Sequence, residues 1–326
     1  MTTASSVSRR DFLVGAGAAV FPIAPAAAAP ILAPIPAIDT HTHFYDPTRP
    51  QGVPWPPKTE TLLYRAVLPP HFAALTRRHN VIGTVIVEAS AWVEDNQWIL
   101  DLAKNHPLIV GFIGNLEPGK PEFAGNLARF AANPLFRGLR FGGGALASGA
   151  GQSSAFEADV RRMEERRLTL DVVGNSAMLP HVLRIAKLAP RLRIVIDHLP
   201  FQEWDAAPAN MRAGIAELAQ QTNVFAKVSH VPRREGDHVI DDRATYTARL
   251  DVLWDLFGED RLVYGSNWPV SDRFAPYDVM YKIVSDYFMA KGRRAAEKYF
   301  WRNSHAAYQW VARGDAAKLL KGGRAK

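Results

Sequence analysis

The sequence predicts an α/β fold with a single (β/α)8 TIM barrel, mainly because of the order of its apolar segments. Eight short apolar runs, rich in β-branched residues, alternate along the chain with segments whose apolar residues recur at helical spacing. The runs lack the polar alternation of a half-exposed sheet, which indicates parallel strands buried on both faces. No glycine-rich dinucleotide-binding pattern follows any run, so a doubly wound open sheet is the weaker alternative.

The predicted elements alternate from residue 38 onward. Strands are expected at 38–42, 81–88, 108–114, 136–141, 168–173, 192–198, 224–229 and 262–266. Helices are expected at 71–79, 92–105, 121–133, 156–166, 178–187, 208–221 and 245–257, several of them with proline near the first turn. The three glycines at 142–144 lack the spacing of a phosphate-binding loop, and we expect them to form a flexible loop at the barrel mouth.

The two ends of the chain differ in composition from the predicted barrel. Arg9 and Arg10 precede a weakly apolar run over 14–29 that ends in four alanines, as in a twin-arginine export signal. We therefore expect a removed signal peptide at 1–29, a proline-rich linker at 30–36, the barrel at 37–312, and a basic, solvated tail at 313–326. The glycines and prolines of the first run make it a poor membrane span, and the mature protein is expected in the periplasm.

The composition excludes several classes of function. The net charge is +7, but the last fourteen residues hold five basic residues against one acid and so carry four of the seven charges. No basic stripe interleaved with aromatic residues remains in the barrel, so a nucleic-acid partner is not expected. The chain has no cysteine, which excludes disulfides, thiolate metal sites and a cysteine nucleophile.

Polar side chains stand at the carboxyl ends of the predicted strands, where barrel enzymes carry their chemistry. His41 and His43 alternate along the first strand, so their imidazoles share one face, with Asp39 one pleat deeper. An unpaired buried charge is costly, so such groups rarely end buried strands by chance. The other strand ends carry Glu88, Asn115, Arg140, Asp171, Asp197, His198, Lys227, Ser229, Ser266 and Asn267. Together these residues predict a site, although Asp171 is expected to be structural and Ser229 to cap a loop.

Three motifs resemble the amidohydrolase superfamily, within it the lactonase-like branch that includes L-fuconolactonase and 2-pyrone-4,6-dicarboxylate lactonase. They are Ile-Asp-Thr-His-Thr-His-Phe at 38–44, Val-Ile-Asp-His-Leu at 195–199 and Tyr-Gly-Ser-Asn-Trp-Pro-Val at 264–270. The resemblance covers nearly all of residues 37–310. It implies a distorted TIM barrel of the metal-dependent-hydrolase type that hydrolyses a lactone ester.

The resemblance also implies roles for individual residues. His41, His43 and His198 would line the lactone carbonyl and the attacking water. Arg140 and Lys227 are candidate binders of substrate oxygens. Trp55 and Trp92 would form apolar walls of the pocket, or would only pack against the fold.

Two departures from the superfamily pattern affect the chemistry. The fifth strand has no histidine at its end, as in the lactonase-like branch, so no cofactor is expected to be required. One zinc ion on His41, His43 and His198 is the alternative. The eighth strand ends in Asn267 where an aspartate usually acts as general base, and an amide cannot take a proton from water. We expect the base to have moved to Glu88, Asp272 or a histidine.

These observations favour a periplasmic hydrolase that opens a small polar lactone, a sugar lactone or cyclic ester, with a small molecule as its partner. One alternative is a metal-dependent decarboxylase or amidohydrolase of the same superfamily. A second alternative is a periplasmic barrel that binds a ligand without reacting. Turnover separates the last alternative from the others, because a binder releases its ligand unchanged.

Overall fold

A computed structural model of the chain describes Met1, residues 34–205 and residues 208–321. The predicted signal peptide after Met1 and most of the predicted linker lie outside the described residues. None of the described helices is long and apolar enough to cross a membrane.

An eight-stranded parallel sheet forms the centre of the fold, with its strands in chain order. The strands are β1 Ala37–Thr42, β2 Val81–Val87, β3 Ile109–Gly114, β4 Phe136–Gly142, β5 Thr169–Val173, β6 Arg193–Asp197, β7 Val224–Val228 and β10 Leu262–Tyr264. A separate antiparallel hairpin, β8 Arg233–Glu235 and β9 His238–Ile240, lies between β7 and β10 in the sequence. All eight predicted strands are present within about two residues of their expected bounds, except that β10 is shorter.

The sheet curls until its last strand lies beside its first, which nearly closes the barrel. The hydroxyl of Thr40 donates to the carbonyl of Tyr264 at 2.6 Å, and the backbone N–H of Asn267 donates to the backbone carbonyl of His41 at 2.8 Å. A single parallel bridge between Thr42 and Trp268 replaces a full ladder at this seam. The predicted (β/α)8 barrel is therefore confirmed, with its distortion at the β10–β1 seam.

Helices surround the sheet, eight of them between consecutive strands and α9 to α12 after the last strand. They are α1 Pro69–Thr76, α2 Asp95–Lys104, α3 Phe123–Ala131, α4 Gly143–Ala147, α5 Ser154–Glu165, α6 Leu179–Leu188, α7 Pro208–Ala219, α8 Arg243–Phe257, α9 Tyr277–Ala290, α10 Arg293–Glu297, α11 Asn303–Tyr308 and α12 Ala317–Lys321. Local chemistry sets several ends: Ser153 and Asp242 cap α5 and α8 through their side chains, and Gly258 ends α8 with a φ of 65°.

Two sequence-based predictions are corrected by these elements. The glycines at 142–144 do not form a flexible loop, because Gly143 begins the short helix α4, in which Leu146 is fully buried. The tail is not solvated from residue 313, since Arg313 donates to the carbonyl of Ala103 at 2.8 Å and Ala316 is fully buried. The helices α9 to α11 were not predicted. In α9 the many aromatic and β-branched residues weaken the helical pattern.

The first strand differs from the others in what it buries. All six residues of β1 are buried, although four of them are polar. Their polar groups bind inside the barrel: the hydroxyls of Thr42 and Thr84 lie 2.7 Å apart, and a carboxylate oxygen of Asp39 accepts from the amide of Ser266 at 2.9 Å. Burial raises the pKa of Asp39 to about 6, against the effect of these hydrogen bonds. The strand that carries His41, and that leads directly to His43, is thus fixed by polar contacts along its length.

Candidate active site

An open pocket of about 360 Å³ lies at the carboxyl ends of the strands. Its polar lining residues are His43, Glu88, Ser90, Arg140, His198, Gln202, His230 and Asn267, and its apolar side includes Trp55, Val173 and Val270. We call the polar lining the wall of the site. The location is the one in which barrel enzymes hold their substrates.

Three wall residues adopt a left-handed backbone conformation. The φ angles are 68° for His198 directly after β6, 58° for His230 two residues after β7, and 63° for Asn267 three residues after β10. Residues other than glycine rarely take this conformation, which costs about 1 kcal/mol or more each. Strain repeated at three neighbouring strand ends is typical of a functional site.

His43 has a different neighbour at each ring nitrogen. Its Nδ1 lies 3.0 Å from the carbonyl oxygen of Val87 and 3.2 Å from that of Glu88. Its Nε2 lies 3.3 Å from Oδ1 of Asn267, whose Nδ2 lies 2.8 Å from Nδ1 of His230. Burial lowers the pKa of His43 and of His230 to about 4, so both imidazoles are neutral at pH 7.

His198 faces the same pocket from the end of β6. Its Nδ1 lies 2.7 Å from the hydroxyl oxygen of Ser229, so Ser229 orients this imidazole rather than capping a loop as expected. Burial, together with His41, lowers the pKa of His198 well below its usual value. The ring centroids of His198 and His230 are 5.4 Å apart. The wall therefore presents three neutral imidazoles close to one another.

Arg140 supplies the positive charge of the wall. Its Nε and Nη2 donate to one carboxylate oxygen of Glu88 at 2.9 and 2.6 Å, and Nη2 also donates to the Glu88 carbonyl at 2.9 Å. Burial disfavours the guanidinium charge, but Glu88 and Asp197 outweigh it and raise the pKa of Arg140. Glu88 thus holds a cation in place at the edge of the pocket.

A second polar cluster, which we call the floor, lies beneath the wall and consists of His41, Asp171, Asp197, Lys227 and Tyr308. All five side chains are fully buried. The ammonium group of Lys227 lies 2.6 Å from Asp171, 2.9 Å from Asp197 and 3.3 Å from Nδ1 of His41. The hydroxyl of Tyr308 donates to Asp171 at 3.0 Å. The floor is therefore a sealed ion cluster centred on one lysine.

The charges of the floor depend on one another. Burial raises the pKa of Asp171 to about 7, although Lys227 acts against this shift. Burial also disfavours the charge of Asp197, but Lys227 and His41 outweigh it and hold the pKa of Asp197 below its usual value. Burial and the Lys227 charge keep His41 neutral by lowering its pKa. Gly265 permits this packing, because a Cβ there would come within 2.8 Å of the Cβ of His41.

The structure divides the predicted site residues between these layers. His43, His198, Asn267, Glu88, Arg140 and Trp55 line the pocket as expected. His41 and Lys227 do not line it, because both are fully buried in the floor, and the substrate contact predicted for each of them stays a prediction. Asp171 is a structural partner, as expected.

Three other predicted residues lie away from the pocket. Trp92 is 40% exposed and is absent from the lining, so it forms no wall of the pocket. Asn115 lines a neighbouring cavity of about 320 Å³, which shares Arg140 with the pocket. Asp272, a candidate base, pairs with Arg65 at 3.2 Å outside the lining, and burial raises its pKa to about 6.

Sequence reasoning missed three wall residues, His230, Gln202 and Ser90. His230 follows Ser229 directly, one residue beyond the end of the predicted strand, where side-chain direction no longer follows strand alternation. The signal that could have found it is a second histidine placed immediately after a strand end. Gln202 lies in a 3₁₀ turn after β6, and its sequence context does not distinguish it.

The predicted zinc ligands do not come together as a set. Among the described residues, the group whose ligand atoms lie within 4.8 Å of one another is His41, Asp197 and His198, without His43. The ammonium of Lys227 contacts two of these three residues, and it can only donate, so it takes the Nδ1 lone pair of His41 and part of the Asp197 charge. These three residues could hold a metal ion, since Nε2 of His41 is buried without a hydrogen-bond partner, but the ion would have to share them with the Lys227 ammonium.

The sequence of the chain is similar to several known proteins. The family model described as Amidohydrolase matches residues 38–310. An L-fucono-1,5-lactonase of Burkholderia ambifaria is 30% identical over 236 residues, which cover 72% of this chain and 80% of the relative. An L-fucono-1,5-lactonase of Burkholderia multivorans is 26% identical over 281 residues, which cover 82% of this chain and 94% of the relative.

Solved structures share the fold. A crystal structure of an amidohydrolase from Burkholderia multivorans, described with bound zinc, has a TM-score of 0.74 and 23% identity, and covers 84% of this chain and 99% of its own. A probable 2-pyrone-4,6-dicarboxylic acid hydrolase from Acinetobacter baumannii, with citric acid bound, has a TM-score of 0.64 and 16% identity, with coverages of 84% and 99%. These likenesses concern the barrel.

Proposed function

The chain belongs to the amidohydrolase family, and from that premise we propose that it opens a small polar lactone by attack of water in the pocket at the mouth of the barrel. The predictions of the superfamily and of a lactonase-like hydrolase are confirmed, whereas the substrate is part of the proposal. The observation that carries the proposal is the wall itself, in which three neutral imidazoles and one fixed guanidinium surround the same space.

Lactone hydrolysis needs two kinds of group, and the wall contains both. A water molecule must lose a proton as it attacks the carbonyl carbon, and a neutral histidine can accept that proton near pH 7. The carbonyl oxygen gains negative charge in the transition state, and the guanidinium of Arg140 can stabilise it. The pocket volume of about 360 Å³ suits a ring compound of sugar size.

The proposed reaction needs no metal ion. Lys227 supports this part of the proposal, because its ammonium already supplies the positive charge beneath the histidines. A decarboxylase or amidohydrolase that depends on a metal would need the same residues as ligands. The grouping of His41, Asp197 and His198 could serve that alternative, but the Lys227 ammonium already contacts two of its three members.

The first test is hydrolysis by the purified protein of L-fucono-1,5-lactone and a panel of other sugar 1,5-lactones. Acid release is followed with a pH indicator and corrected for spontaneous opening. We expect turnover of at least one lactone, unchanged after dialysis against a chelator, with no stoichiometric metal by elemental analysis. Turnover that is lost on chelation and restored by zinc would contradict the metal-free reaction. Ligand-induced stabilisation without turnover would indicate a binding protein instead.

We also propose that the protein works in the periplasm, and the support is the Arg9-Arg10 pattern before the weakly apolar run. Cell fractionation tests this part. The protein should leave the cytoplasm in cells with an intact twin-arginine pathway, and replacement of both arginines by lysine should retain it inside.

A further inference from the structure

The contacts of Asn267 point to a general base that the sequence did not indicate. This residue stands at the end of the eighth strand, where the superfamily pattern has an aspartate, and its amide lies between His43 and His230. An amide oxygen only accepts and an amide nitrogen only donates. The nitrogen that carries the proton in one imidazole therefore determines which nitrogen carries it in the other.

The tautomer of His43 follows from its neighbours. Both groups near its Nδ1 are backbone carbonyl oxygens, of Val87 at 3.0 Å and of Glu88 at 3.2 Å, and a carbonyl oxygen only accepts. Nδ1 therefore carries the proton. Because burial keeps the ring neutral, Nε2 of His43 carries a lone pair.

The lone pair on Nε2 of His43 decides which way the amide of Asn267 faces. With Oδ1 at 3.3 Å from this nitrogen, two acceptors would face each other. A half-turn of the amide exchanges its two ends, which are nearly equal in size. The amide nitrogen then donates to His43, and the amide oxygen lies about 2.8 Å from Nδ1 of His230.

His230 must then carry its proton on Nδ1, so that it donates to the amide oxygen of Asn267. Its Nε2 has no hydrogen-bond partner among the described residues, and the ring lines the pocket. Phe274 packs edge-on against this ring, with centroids 4.9 Å apart, and holds its orientation. We propose that Nε2 of His230 is the general base of the lactonase, and that Asn267 is a positioning residue that fixes its tautomer.

The proposed step rests on the proposed function, and its atoms balance. Water forms a bond from its oxygen to the lactone carbonyl carbon while one of its protons passes to Nε2 of His230, and the carbonyl π electrons move to oxygen. When the tetrahedral intermediate collapses, the ring C–O bond breaks and the leaving oxygen takes the proton back. The products are one hydroxy acid and a regenerated imidazole. A pKa of about 4 gives His230 the basicity of an ordinary carboxylate, so it can replace the aspartate in this role.

Two readouts test the proposal, and one of them does not depend on activity. In the wild-type protein, long-range ¹H–¹⁵N correlation spectra should show Nε2 of His230 unprotonated and Nδ1 protonated. His230→Gln should lower kcat at least about 100-fold, the usual effect of a lost general base, with KM changed little. In His230→Ala, added imidazole should restore part of the rate, which a merely structural role would not allow. His238→Gln is the matched control, since His238 is exposed on β9, and its kcat should equal that of the wild type.

The outcomes separate this proposal from the proposed function. An active wild type with an equally active His230→Gln overturns the assignment of the base and leaves the lactonase standing. A wild type that opens no lactone overturns the function, while the spectra still test the tautomer. Spectra with the proton on Nε2 of His230 overturn the inference directly. A tightly bound metal between His43 and Asn267 would overturn it too. The cation would bind the lone pairs of both Nε2 of His43 and Oδ1 of Asn267, and the amide would not need to be turned.

Discussion

The floor and the wall of the site both contain histidines, but the polar groups of the floor contact one another, whereas those of the wall also face the pocket. In the floor, the charges of Lys227, Asp171 and Asp197 contact one another and reach no solvent. In the wall, His198 and His230 each have one ring nitrogen within hydrogen-bond distance of a neighbouring side chain, and both residues line the pocket. Access to the pocket, rather than charge alone, therefore distinguishes a reacting group from a supporting one.

The floor should control stability, and Lys227→Met gives the largest expected effect. This change leaves two buried carboxylates without their cation, and breaking a buried pair in this way typically costs about 3–5 kcal/mol of unfolding free energy. Chemical denaturation at pH 7 measures the loss. Lys282→Met is the control, because Lys282 pairs with Asp286 on the exposed side of α9, and it should cost less than about 1 kcal/mol.

The Lys227→Met variant can also contradict the division between the floor and the wall, when its substrate affinity is measured as well. If Lys227→Met folds with nearly wild-type stability but loses substrate affinity, the floor belongs to the binding surface after all. In that case the lysine would contact substrate as the resemblance first implied, and the closed floor would open on binding.

The wall should control activity, and Arg140→Lys gives the second largest effect. Lysine keeps the charge but cannot reproduce the paired contacts of the guanidinium with Glu88. We expect kcat/KM to fall about 10- to 100-fold, with less than about 1 kcal/mol lost in stability, because this pair is partly exposed. Steady-state kinetics and thermal unfolding of the same preparation measure both quantities.

Glu88→Gln sharpens this result, because Glu88 was itself a candidate base. A glutamine still accepts hydrogen bonds from Arg140, so this variant should retain more activity than His230→Gln. Complete loss of activity in Glu88→Gln, with Arg140 still ordered, would assign the base to Glu88 instead.

The sequence predicted the barrel because its evidence is repeated eight times. Each strand run carries the same β-branched, non-alternating pattern, so an error in one element does not change the fold. It also predicted most of the wall, because strand ends in a barrel converge on one rim. The alternation of strands with helices and the position of a residue at a strand end can both be inferred from the local sequence.

The division between floor and wall could not be read in that way. His41 lies in β1 and His43 directly follows the strand, and two residues of strand rise place His41 roughly 6.6 Å deeper. Lys227 likewise lies on the strand two residues before Ser229, where it meets carboxylates of β5 and β6 that only the closed sheet brings near. His230 was missed because a left-handed backbone, not strand alternation, turns it toward the pocket.

The wall histidines make the stability of the protein depend on pH. Burial lowers the pKa of His43 and of His230 from 6.5 to about 4. In the unfolded chain both titrate near 6.5, so between pH 6.5 and pH 4 the unfolded state binds more protons. The free energy of unfolding therefore falls as the pH falls through this window, by up to about 1.4 kcal/mol per pH unit for each histidine.

Asp39 opposes this trend without reversing it. Its pKa is raised from 3.8 to about 6, so it contributes stability that is lost as the pH rises through that range. Asp171 and Asp272 oppose it in the same way. The buried His41 and His198 add to the effect of the two wall histidines, so we expect the melting temperature to fall between pH 7 and pH 5. His230→Gln should show a shallower fall than the wild type, whereas the exposed control His238→Gln should match it. Equal slopes in all three proteins would mean that the pKa of His230 does not change on folding, which would contradict a neutral imidazole buried in the wall.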